Sequence, residues 1–193
     1  MPLKQGISGF IIIPDGKGGV MARRNLNPAS RFSYKRYDLI GGGCKTGETI
    51  AECIAREADE EGGVFIRFVT TQIWVACVKL LNAGGAIMEE NYKVFTIGRI
   101  TGVSRYVPEK GKHYDNLGFH PMNELCRRKN KQAPPAWQRH ALKWANNMGL
   151  NSLASEKDTV TLSLAQDDIF NRPSCINRCY EMGIEEWCGG KAA

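Results

Sequence analysis

The sequence predicts an α/β layered domain in which helices cover a mixed sheet. Three observations lead there. Segments rich in β-branched and aromatic residues alternate irregularly with helical patterns. The run from Ile73 to Leu81 is almost continuously apolar, as a strand covered on both faces would be. Ile50, Ala51, Ile54, Ala55 and Ala58 recur at helical spacing and form one apolar face that can dock on a sheet.

Taken in order, Gly6 to Ile13 reads as a strand closed by the turn signal Pro14-Asp15-Gly16, and Gly19 to Arg24 as a second strand. Tyr37 to Ile40 leads into the run Gly41-Gly42-Gly43. Thr49 then opens a helix, because Glu52 three residues later completes a capping-box pattern, and Gly62-Gly63 ends it. Val64 to Thr70, Ile73 to Leu81 and Tyr92 to Ile100 follow as strands, the middle one placed centrally for its apolar character. Residues 101 to 118 read as a polar loop and Phe119 to Leu125 as a short edge segment. From Pro135 a second helix begins, with Trp137, Ala141, Trp144, Ala145 and Met148 on one core-facing stripe. The expected organisation is one domain over residues 1 to 150, followed by an extension over 151 to 193 that has no readable assignment.

Composition narrows the class. A chain of 193 residues with 42% hydrophobic and 24% charged residues can bury its own core. The apolar run Phe10 to Ile13 stops at Pro14, too short for a signal-peptide core or a membrane span, so no membrane partner is expected. Seven scattered cysteines do not form a disulfide framework, and a reducing cytoplasm is the expected location. Cys175, Cys179 and Cys188 lack paired CxxC spacing and a nearby histidine, and read as thiols, not zinc ligands.

Charge is concentrated. Residues 42 to 64 carry −4 while the rest of the chain carries +10. An acidic focus inside a basic protein suits a polyanionic ligand bridged to the acids by a cation. Within that segment Glu57, Glu60 and Glu61 fall within an arc of about 100° on one helix face. Like charges at these spacings repel unless a cation or a basic partner compensates, and ligands made only of oxygen suit magnesium or manganese.

The spacing of the whole segment resembles the Nudix box. Gly42, Glu48, Arg56, Glu57, Glu60, Glu61 and Gly63 fill its fixed positions, with Ala58 and Val64 in the aliphatic ones. The approach Tyr37-Asp38-Leu39-Ile40-Gly41-Gly42 is similar to the family's, with Ile40 in place of the usual proline. Met21 to Arg24 resembles the second family strand, and Phe119 to Leu125 its late segment. The resemblance covers roughly residues 6 to 148. It implies a Nudix-like α/β/α sandwich and a magnesium-dependent pyrophosphohydrolase, with manganese as the other ion.

It further implies that Glu57 and Glu61 are the first metal ligands, joined by the Gly41 carbonyl, while Glu60 completes the shell or serves as the base. Arg56 belongs to the same catalytic set, Glu48 and Gly63 have structural roles, and Arg23 and Gly42 meet substrate. A base from a distant loop is also open, with Glu89, Glu90, Glu109 and Asp115 as candidates. The substrate class is a nucleoside diphosphate linked to another moiety: a nucleoside triphosphate, nucleotide sugar, ADP-ribose or dinucleotide. The proline or tyrosine that marks some subclasses is absent from Val78 to Asn82. Removal of a cap or pyrophosphate from an RNA 5′ end is an alternative, drawing on the basic cluster Arg127 to Lys131. A domain that senses a nucleotide without cleaving it is the third.

Overall fold

The computed structural model describes residues 4–29, 33–81, 86–104, 113–127, 129–154, 160–166, 169 and 179–182. The strands are β1 (Lys4–Ile12), β2 (Gly19–Asn25), β3 (Tyr37–Gly43), β4 (Val64–Phe68), β5 (Trp74–Leu81), β6 (Ile87–Val103), β7 (Tyr114–Pro121) and β8 (Cys179–Met182). The helices are α1 (Ile50–Gly62), α2 (Met122–Leu125), α3 (Ala136–Asn147) and α4 (Leu150–Ala154).

Among the described residues the sheet runs β7-β2-β3-β1-β6-β5-β8, with β4 also paired to β6. It is mixed: β1 with β6 and β5 with β8 are parallel, and the other pairings are antiparallel. Alternation along β1 sends its side chains to two cores. Phe10 and Ile12 join Trp74, Phe95, Trp137, Ala141 and Leu142 on the α3 side. Ile7, Ile11 and Ile13 join Ile50, Ile54 and Ala58 on the α1 side. The expected α/β/α sandwich is therefore the observed one.

Several sequence expectations are corrected. β5 is not central; β1 and β6 hold the middle, and β5 lies next to β8 at one side. Its apolar run has another cause, since Trp74, Ala76 and Val78 enter one core while Val75 enters the other. The segment read as a loop over 101 to 118 is partly strand. β6 continues to Val103, which pairs with Val64, and β7 begins at Tyr114. Among the described residues β7 pairs only with β2, and its exposed side chains mix Asn116 with Leu117 and Phe119, so no regular period marks the strand.

Helix α1 begins and ends as its residues dictate. Thr49 accepts from the Glu52 amide while Glu52 accepts from the Thr49 amide, and Gly63 closes the helix in the left-handed region at φ 62°. Ile54 packs so closely on β1 that a Cβ on Gly9 would lie 2.6 Å from its side chain. Burying a side chain of that size contributes about 1.5–3 kcal/mol, which presses the apolar face onto the sheet and leaves the acids at its margin.

Residues beyond 150 also reach the domain. Val160 bridges Phe68, and Leu162 and Ile169 are buried in the α1-side core. The Leu164 carbonyl accepts from the Ile50 amide, and Gln166 Nε2 donates to the Lys45 and Glu48 carbonyls at 2.8 Å each. No helix among the described residues is long and apolar enough to cross a membrane.

Candidate active site

The acidic patch is organised by Arg56. Its Nε and Nη2 donate to the two oxygens of Glu48 at 2.7 and 3.0 Å, and Nη2 also donates to the Gly43 carbonyl at 2.9 Å. Nη1 donates to Glu57 at 2.7 Å and to Glu60 at 3.0 Å. One guanidinium thus joins the loop before α1 to two acids on the helix, which its planar fork allows and an ammonium could not match. These Arg56 bonds hold the Glu48 carboxyl down at about 2, and Glu48 in turn keeps the Arg56 guanidinium more basic than usual.

Glu57 and Glu61, one turn apart, lie beside Gly41 and Gly42. Gly42 gives Glu57 its place: a Cβ there would stand 2.6–2.8 Å from the Glu57 carboxylate atoms. Glu61 Oε2 accepts from the Gly41 amide at 3.1 Å and pairs with Arg23. Burial pushes the Glu61 carboxyl up to about 7, against the pull of Arg23. Glu60 is at the rim, its side chain 49% exposed, and reaches Lys45 at 3.9 Å besides Arg56. The three acids expected on one patch do share a neighbourhood, but they are not equivalent.

Arg23 is the inward member of its pair with Arg24, which instead binds Asp115. Only 2% of Arg23 is exposed. Its guanidinium lies 3.3 Å from the Tyr114 ring centroid, and its Nε and Nη1 have no hydrogen-bond partner among the described residues. A buried guanidinium with two unused donors is costly unless a ligand meets them.

A cleft of about 620 Å³ opens beside this cluster, with Glu61 and Gly41 to Gly43 on its wall. Sequence reasoning missed much of its lining. Lys93 on β6 donates to Ser8 on β1 at 2.9 Å. Asp38 accepts from Asn25 at 3.1 Å and from Gln138 of α3, whose Oε1 accepts from the Leu39 amide at 2.9 Å. These residues are far apart in the chain, and no local pattern joins them. Ile40, where a proline was expected, is fully buried in the α1-side core, so packing holds the approach to the glycines.

The remaining candidates separate. Among the distant acids Glu89 lines the cleft. Glu90 is engaged by Gln5 and Tyr92, and Asp115 by Arg24, while Glu109 lies outside the described residues. Cys44, Cys53, Cys77 and Cys126 are free thiols; Cys175 and Cys188 also lie outside the described residues. Arg127, Lys129 and Lys131 fall between α2 and α3 and do not line the cleft; Arg128 is outside the described set.

Among the described residues no three His, Cys, Asp or Glu side chains are drawn together as ligands of one ion. The reason is visible in the contacts, since arginines hold the oxygens of Glu57, Glu60 and Glu61. The donor set nevertheless suits a hard divalent cation: all carboxylate oxygen, with Glu61 buried and Glu57 fitted against a glycine that leaves it room.

The fold agrees with comparisons to known proteins. A family model for the NUDIX domain matches residues 3–134. A NUDIX hydrolase from Nitrosomonas europaea superposes with a TM-score of 0.56 at 14% identity, over 76% of this chain and 90% of that one. The mutator MutT protein from Bacillus halodurans gives 0.52 at 17% identity, over 72% and 80%. An ADP compounds hydrolase gives 0.50 at 17% identity, over 77% of each chain. At such identities the likeness is one of fold. No curated protein matches the chain. Because the family match spans most of the chain and contains every residue of the acidic cluster, the chain belongs to the Nudix hydrolase family.

Proposed function

We propose that this protein is a magnesium-dependent pyrophosphohydrolase that cleaves the diphosphate linkage of a nucleotide-containing small molecule, with manganese able to replace magnesium. The observation that carries this reading is the placement of Glu57 and Glu61 against Gly42 and Gly41 at the edge of a cleft, beside the buried and incompletely bonded Arg23.

Glu57, Glu61, the Gly41 carbonyl and Glu60 are the groups that would hold the ion. When bound, it supplies neutralisation of phosphoryl charge and a more acidic water. The chain's own groups do the rest. Arg56 fixes Glu48, Glu57 and Glu60 relative to one another, so the helix acids meet the substrate already oriented. Arg23 is assigned to substrate phosphate, whose oxygens its buried Nε and Nη1 would meet once uncovered. Gly42 lets phosphate approach the main chain beside Glu57. For proton removal from the attacking water, Glu60 at the rim and Glu89 on the cleft wall are the candidate carboxylates.

Incubation with a panel of nucleotide diphosphate compounds, with and without magnesium, tests the reading when products are identified by mass. Metal-dependent release of a nucleoside phosphate is expected. Tight binding of a nucleotide without cleavage would instead make the domain a sensor, and cleavage confined to capped RNA would move the substrate to RNA.

A further inference from the structure

The cleft contains a cation that the proposed chemistry leaves unused. Lys93 lies on the floor of the cleft, within a sheet row formed by Gly43, Ser8 and Lys93 on the adjacent strands β3, β1 and β6. Strands are about 4.8 Å apart, so Lys93 stands about 10 Å across the sheet from the glycine loop. Its side chain turns back over Ser8, which puts the amine one strand away from the glycine loop.

Lys93 Nζ donates to Ser8 Oγ at 2.9 Å, and no carboxylate lies within salt-bridge distance among the described residues. Burial lowers the basicity of the amine, although Asp38 and Glu89 nearby act in the other direction. Protonated or not, an amine held by one hydroxyl keeps a further N–H to donate. At a partly exposed residue on the cleft wall, that donor is open to an acceptor on the substrate.

The surroundings decide which acceptor. Asp38, Glu61 and Glu89 all line the same cleft, so an additional phosphate there would face three carboxylates. A neutral oxygen avoids that repulsion. The next row of the floor is Phe10, and Trp137 of α3 also lines the cleft; both are nearly buried and leave only an apolar edge to it, which suits a flat heterocycle better than a sugar with many hydroxyls.

Resting on the pyrophosphohydrolase reading, we infer that Lys93, positioned by Ser8, donates to the carbonyl oxygen at C6 of a purine or C4 of a pyrimidine in the substrate's nucleobase, and so selects bases with oxygen there over bases with an amino group there. Guanine and uracil present a carbonyl at the position concerned. Adenine and cytosine present an amino group there, which sets donor against donor and leaves the lysine unpaired.

The test is kcat/KM for GTP, ATP, UTP and CTP with magnesium, in wild type, Lys93→Met and Lys93→Arg. Wild type should favour GTP over ATP and UTP over CTP by about tenfold or more, since a site built to bond a polar group rejects a partner lacking it. Lys93→Met should bring both ratios close to one, and Lys93→Arg should retain part of them. Equal rates for the four nucleotides in wild type, or ratios unchanged in Lys93→Met, would overturn the inference while leaving the hydrolase reading intact. If no triphosphate is cleaved, the hydrolase reading is decided by the wider panel of nucleotide diphosphate compounds and not by this experiment. Calorimetric binding of GDP and ADP then tests the inference separately: tighter GDP binding that Lys93→Met abolishes supports it, and equal affinity ends it.

Discussion

Arg56 grips both carboxylate oxygens of Glu48, at 2.7 and 3.0 Å, and so ties the loop before α1 to the helix that carries the acids. The pairing lowers the Glu48 carboxyl from its ordinary 4.5 to about 2. A carboxyl lowered on folding stabilises the native state above its unfolded value, and that contribution disappears as pH falls through the folded one. Wild-type stability should therefore drop between pH 4.5 and 2 in part because Glu48 takes up a proton. Glu48→Gln should be less stable at neutral pH and show a shallower decline over the same window. Urea titrations at several pH values measure both; parallel curves for the two proteins would contradict the role given to this pair.

Glu61→Gln should lose hydrolysis by on the order of a hundredfold or more in kcat, equivalent to about 3 kcal/mol of transition-state stabilisation. The fold should survive, because an amide oxygen can still accept from the Gly41 amide and from Arg23. Isothermal titration with magnesium, beside circular dichroism, separates the effects. Weakened ion binding in a folded protein is expected, and undiminished turnover would remove Glu61 from the centre.

The acidic loop and helix were legible because every constraint on them is local. Capping by Thr49 and Glu52, the stop at Gly63 and the phase of Glu57, Glu60 and Glu61 all lie within one helix and its ends. Arg23, given a substrate role by the resemblance alone, is the arginine of β2 that pairs with the acids. What could not be read depends on contacts between distant segments. Ser8 meets Lys93 only because β1 and β6 are parallel neighbours, and Asp38 meets Gln138 only because α3 crosses the start of β3. The sequence also predicted that the acids would gather and need a cation or basic partner, without revealing that Arg23 joins Arg56 as that counter-charge. β7 is legible only from Phe119, because its start Tyr114-Asp115-Asn116 shows no strand period, and Met122–Leu125, predicted with it as an edge segment, is helix α2.

The segment after residue 150 offers a prediction about coupling between extension and site. Ile169 is 1% exposed in the α1-side core, and truncating such a residue to alanine costs about 2–5 kcal/mol. Ile169→Ala should lower the unfolding midpoint of the whole domain in a single transition. Gln166→Ala removes two bonds to the loop that carries Glu48, each worth about 1 kcal/mol. It should destabilise less and affect kcat more than KM, because that loop orients Arg56 through Glu48. Thermal melts and steady-state kinetics on both variants check this; a melt unchanged by Ile169→Ala would show that the extension does not share the core.

Gly42→Ala isolates the geometry of the acids from their charge. No titratable group changes, and the backbone at Gly42 does not lie in the left-handed region, so alanine is permitted there. The added methyl would nevertheless stand 2.6 Å from Glu57 Oε1 and 2.8 Å from Oε2, inside van der Waals contact. The carboxylate is the end of a flexible side chain, so it yields before the sheet does, turning away from the glycine loop and altering its bond to Arg56. The expected result is a melting temperature near that of wild type with kcat reduced about tenfold to a hundredfold, the range reported when groups that orient metal ligands are disturbed. Magnesium affinity should fall with it. A variant with full activity would mean that Glu57 does not need its place against Gly42, whereas a large loss of stability would mean that the clash is relieved through the strand.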